Sequence, residues 1–77
     1  MRIPECRQPW EAIAAVASGA LDVIEAPAAT VKAGRLLLRE IGGRRCLEVE
    51  VAAVRIHTGA RDRLLVRVVA PLHEEER

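Results

Sequence analysis

Four arginines, Arg35, Arg39, Arg44 and Arg45, are the side chains whose type and spacing most directly suggest chemistry. They flank the Gly42-Gly43 pair, and a reversal of the chain there would gather their guanidinium groups around one hairpin. Arginine presents a planar fork that matches phosphate and carboxylate oxygens. Four such groups would neutralise phosphates, with an affinity that falls steeply as salt rises. Single-strand binders also stack bases on aromatic rings, but this chain has only Trp10, and its helical partner at Ile13 marks it as a core residue. Glu40, Glu48 and Glu50 offer the opposite use of the arginines, as a structural network of ion pairs.

Catalytic groupings are absent from the sequence. A nucleophile needs a base within hydrogen-bond reach, and Ser18, Thr30 and Thr58 stand in no elbow or triad context. His57 reads as a turn residue at a strand end and His73 as part of the tail. Glu48 and Glu50 alternate like paired carboxylates, yet a solvated strand face crossed by Arg63 and Arg67 from a neighbouring strand explains them as well. The glycines lack the strand, Lys-Ser or Lys-Thr, and helix of a phosphate loop. Cys6 and Cys46 have no metal-ligand spacing, and Cys46 falls in a strand pattern where cysteine is a small core hydrophobe. The expectation is a binding protein, not an enzyme, with no cofactor and no metal, reduced thiols and a cytoplasmic location.

With 77 residues there is room for one domain, and 51% apolar composition with no Phe or Tyr means a core of Val, Leu, Ile and Ala. Such small cores gain from self-association, so a homodimer or a protein partner is expected. Lys32 is the sole lysine among twelve basic residues, and the net charge is +1. An arginine- and alanine-rich composition is equally the product of a GC-rich genome. No apolar run approaches the roughly 18 residues that span a bilayer.

The elements that must position these residues follow in order. Residues 1–4 read as an extended lead-in, and Pro9 stands at the first position of a helix whose inner face carries Trp10, Ile13, Ala14 and Ala17, closed by Ser18-Gly19. Residues 21–24 form a strand ended by Pro27, followed by a small-residue loop. Residues 35–41 and 44–57 form two strands joined by a two-residue Gly42-Gly43 turn. The apolar phase changes at Ala52-Ala53, which predicts a β-bulge. Residues 58–62 turn the chain into a last strand, 64–70, ended by Pro71. The reading is α+β in the order β-α-β-β-β-β, with one domain over residues 1–73 and an acidic disordered tail at 74–77.

This order and its punctuation resemble the ASCH domains of the PUA-like superfamily. The resemblance lies in Ile3-Pro4 with Trp10-Glu11-Ala12-Ile13, in Ser18-Gly19, in Val31-Lys32-Ala33-Gly34-Arg35-Leu36-Leu37-Leu38-Arg39-Glu40, and in the Gly43-Arg44 hairpin. It covers residues 3 to about 56 and implies a small β-barrel whose groove binds RNA or a nucleotide-like ligand. The family signature Gly-x-Lys-x-x-Glu-x-Arg is not kept: counted from Gly19, its Lys, Glu and Arg positions hold Leu21, Ile24 and Ala26. Arg35 also replaces the usual Asp after Gly34. The resemblance therefore implies binding without inherited catalysis, through Arg35, Arg39, Arg44 and Arg45. The other reading is a small interaction factor of a phage or mobile element, docking on a host protein through aliphatic surface such as Leu37, Ile41, Leu65 and Val69.

Overall fold

A computed structural model describes residues 5–54 and 63–76. His57, the turn expected at 58–62 and the Ile3-Pro4 match lie outside the described residues. Five strands and one short helix follow in the order β1 (Cys6–Gln8), α1 (Trp10–Ala17), β2 (Val23–Pro27), a single 3-10 turn at Ala28–Thr30, β3 (Arg35–Glu40), β4 (Arg45–Val54) and β5 (Arg63–Glu76). The strands form one sheet in the order β1-β3-β4-β5-β2, parallel between β1 and β3 and antiparallel elsewhere. The result, among the described residues, is a small β-rich, nearly closed, barrel-like sheet with a single short helix, in agreement with the α+β reading of the sequence.

The helix connects the two outermost strands, β1 and β2, and packs against β3, β4 and β5 between them. Pro9 caps it rather than beginning it: φ −60° with ψ 149° is extended, and its carbonyl accepts from Ala12 and Ile13. Ile13 and Val16 are buried and Ala17 is exposed, so the inner face is turned from the one predicted. Val16 carries more apolar area than Ala17, and burial follows area. Gly19 ends the helix at φ +81°, a left-handed conformation open to glycine.

Strand alternation places Leu36 and Leu38 of β3, Leu47, Val49 and Val51 of β4, Ile24 and Ala26 of β2, and Val66 of β5 under the helix. Leu21, which stands where the ASCH lysine would be, packs against this core, and Ile24 and Ala26 belong to it. All three residues thus build the interior.

Among the described residues the two-residue hairpin is at Ala33-Gly34, not at Gly42-Gly43. Lys32 and Arg35 exchange both backbone hydrogen bonds, 3.0 and 2.9 Å, across Ala33 at φ 53° and Gly34 at φ 74°. This is the mirror-image turn that matches strand twist, and it favours Asn-Gly. Ala33→Asn is therefore expected to stabilise the fold by about 0.5–1 kcal/mol, part of the roughly 1–2 kcal/mol left-handed penalty that asparagine bears more easily than alanine. A raised melting temperature checks this, and an unchanged or lowered one contradicts it. The loop at 41–44 is longer than predicted because Ile41 donates its N–H to Gln8 of β1, and of its two glycines only Gly42 has positive φ, +74°.

Three further expectations are corrected on β5. Register runs straight from Val51–Val68 to Val54–Leu65, so there is no bulge at Ala52-Ala53. The irregularities lie between Glu48 and Val49 and between Glu50 and Val51, where β5 has the extra residues Leu72 and Val69. Pro71 does not end the strand, because it stands between two bulges where the ladder is already interrupted. Residues 74–76 are not a disordered tail: Glu74, Glu75 and Glu76 pair with Leu47, Cys46 and Arg45. The first half of β4 has β3 on one side only, and β5 satisfies the backbone groups on the other.

Candidate arginine site at the hairpin end

The predicted cluster is divided between the two ends and the two sides of the hairpin. Arg35 is in register with Glu50 at the open end, about 13 Å along β3 from Arg39 by strand rise. Its Nη1 lies 3.7 Å from Glu48 Oε1. The arginine facing the Glu48 and Glu50 side of β4 thus comes from β3. Arg63 pairs instead with Glu25 of β2, and Arg67 is in register with Ala52 and Val23.

Arg45 shares the core phase of β4 with Leu47 and closes the end of the interior. Its Nε and Nη2 donate to the two carboxylate oxygens of Glu40 at 3.1 and 3.0 Å, a bidentate fork. The same guanidinium lies 3.7 Å from the centre of the Trp10 ring. Trp10 itself packs against the core, so one ring joins helix, hairpin and interior. The hydrogen bond from Arg45 holds the Glu40 carboxyl below its ordinary value of 4.5, against the opposing effect of burial. Arg45 is thus committed to structure.

Arg39 and Arg44 remain at the closed end, and the fold adds a residue that sequence reading missed. Arg7 of β1 is in parallel register with Arg39 of β3, which is in register with Cys46 of β4. Register neighbours share a side of the sheet about 4.8 Å apart. Arg7 is exposed, and Arg44 is exposed in the adjoining loop. Arg39 is half-buried, with Nε 3.2 Å from Glu5 Oε2, while its Nη1 is buried without a hydrogen-bond partner among the described residues. Only the pairing of β1 with β3 brings Arg7 here, and no local pattern announces a parallel pairing of three residues.

Of the three candidate nucleophiles, the two among the described residues are committed locally. Ser18 Oγ donates to the Ala15 carbonyl at 3.1 Å and Thr30 Oγ1 to the Pro27 carbonyl at 2.7 Å. Cys6 and Cys46 are buried cysteines on strands separated by β3, about two strand spacings or 9.6 Å apart, beyond the reach of a disulfide with each other. His73 lies on β5 in register with Glu48 rather than in a tail. Of the aliphatic positions predicted at the surface, Ile41 and Val69 are exposed and Leu37 and Leu65 are half-buried; Val23 and Leu72 are exposed as well.

Fold and site together define the class: a small barrel-like β-sheet closed over by one helix, with a basic corner where β1, β3 and the 41–44 loop meet. No family model, curated protein or solved structure matches the chain. Among the described residues no helix is long and apolar enough to cross a membrane.

Proposed function

We propose that this protein is a non-catalytic, ASCH-like binding module of the cytoplasm that holds RNA through its phosphates at Arg7, Arg39 and Arg44. The observation that carries this reading is the in-register pair Arg7 and Arg39 on adjacent strands. Like charges directly opposite one another destabilise a sheet, and Glu5 compensates only one of the two. An oxyanion placed between the two forks would replace that repulsion with charge-assisted hydrogen bonds. Arg44, exposed next to them, extends the positive corner along a strand of phosphates. Arg35 and Arg45 have lesser parts: Arg35 stands at the far end of the hairpin, and Arg45 is held between the Glu40 fork and the Trp10 ring.

The test is a fluorescence-anisotropy titration with short single-stranded RNA, structured RNA and duplex DNA at low and near-physiological salt. Arg7→Glu/Arg44→Glu is the variant to compare, because both residues are exposed and reversing them leaves the Arg45 fork intact. The expected result is salt-sensitive RNA binding that the variant weakens at least tenfold, with a smaller salt slope. Binding unchanged in the variant would refute the site.

A second reading is favoured by one observation: the two extra residues of β5, Val69 and Leu72, are both exposed aliphatics. They would serve a protein partner or a second copy of this chain. Absence of RNA binding even at low salt, with self-association by light scattering that Val69→Asp/Leu72→Asp abolishes, is the outcome that selects it.

A further inference from the structure

The 41–44 loop is held from below by a contact the binding reading does not use. A Cβ on Gly43 would fall 2.1 Å from Glu40 Oε2 and 2.3 Å from its Cδ, so the carboxylate lies directly against the Gly43 backbone. The same carboxylate receives the Arg45 fork, and Arg45 covers Trp10. Gly43 also donates its N–H to the Glu40 carbonyl at 3.3 Å. Glu40 therefore touches both the loop that carries Arg44 and the first residue of β4, and helix α1 supports them through the ring. Arg45 and Gly43 thus meet at one carboxylate, and Trp10 is joined to it through the Arg45 guanidinium.

We propose that Glu40 is a positioning residue, the catch of an acid-released latch in which Glu40, Arg45, Trp10 and Gly43 hold the hairpin tip bearing Arg44 in place. That the tip serves ligand binding rests on the reading above; the latch itself does not. Protonation would take one oxygen of Glu40 out of the fork as an acceptor and remove the charge that attracts Arg45. The guanidinium would leave the ring, and the loop would lose the carboxylate beneath it.

The surrounding charges bear on this. β4 presents Arg45 to Glu40, and β1 presents the uncharged Gln8, in register with it. Glu5 is engaged by Arg39, and Arg7 stands beside Arg39. Arg44 lies in the loop, Glu11 is exposed in the first turn of α1, and β5 ends at Glu76, in register with Arg45. The folded carboxyl titrates below its unfolded value of 4.5, so the latch is complete above that value and opens as pH falls through the lower one.

Trp10 is the only aromatic residue, so its emission reports the ring contact without interference. An acid titration of emission should show a step below pH 4.5 while the far-ultraviolet spectrum still reports the β-sheet, with the amide resonances of residues 41–45 shifting at the same midpoint. Glu40→Gln should abolish the step, and Glu76→Gln should keep it. Gly43→Ala, which displaces the carboxylate sterically, should give the acid-form emission at neutral pH. A step that persists in Glu40→Gln, a step lost in Glu76→Gln, or no emission change before the sheet unfolds would each overturn the latch. None of these measurements uses a ligand, so failure of RNA binding and failure of the latch are separate results.

Discussion

Leu38→Ala is expected to cost about 3 kcal/mol, a large share of the stability of a domain this size. Leu38 is fully buried on β3, in register with Cys6 of β1 on one side and Leu47 of β4 on the other, under the helix. The core has no Phe or Tyr and uses short aliphatic chains, none of which can swing far enough to refill the space. Urea unfolding followed by Trp10 emission should show the midpoint lowered by about 2–3 M, at a slope near 1 kcal/mol/M for a small domain. Leu37→Ala, on the opposite side of the same strand and half-buried, provides the comparison. If the two variants unfold at the same midpoint, the assignment of β3 faces is wrong.

Gly34→Val is the second large effect. Gly34 has φ +74° in the two-residue turn that starts β3, and a β-branched side chain is strained there whatever the space. The cost is conformational and not steric, since a Cβ there would make only an ordinary 3.7 Å contact with the Val51 carbonyl oxygen; the Val51 N–H donates to the Gly34 carbonyl at 2.8 Å and ties the turn to β4. The turn would have to open, and the start of the β3–β4 ladder with it. A loss of about 2 kcal/mol is expected, which lowers the melting temperature by roughly 10 °C in a domain of this length. A melting temperature within 2 °C of the unmodified protein, a tolerance of about 0.4 kcal/mol on the same scale, would mean that the turn is not held in this conformation. Together with the gain expected for Ala33→Asn, it separates the conformational demand at the turn from side-chain packing, since both positions are exposed.

Much of the fold is legible because it is written in short-range periodicity. The alternation of Leu47, Val49 and Val51 with Glu48 and Glu50 marks β4 and its inner face without reference to any other segment. Ser18-Gly19 marks the helix end through a local conformational need, and the chain order of helix and strands follows from such marks. The same local logic misplaces the tight turn. Gly42-Gly43 has the better turn composition, but Ile41 bonds to Gln8, thirty-three residues away in sequence, and Glu40 lies against Gly43. Pro71 is misjudged for a related reason: proline ends a regular ladder, and only the pairing with β4 reveals that the ladder there is irregular.

For the candidate site, the sequence by itself determined the supply of charge: arginine rather than lysine, concentrated on both sides of residues 40–43 and interleaved with glutamates. Only the tertiary structure decided where each arginine stands and which acidic or aromatic partner it meets. Side-chain direction along β3 and β4 sends Arg45 to the end of the core, onto Trp10 and Glu40, while Arg35 is carried to the far end of the hairpin beside Glu48. The parallel docking of β1 brings in Arg7. The physical reason is that phase along a strand is a property of a few neighbouring residues. Register between strands is set by long-range pairing, and the sites of this protein are made by register.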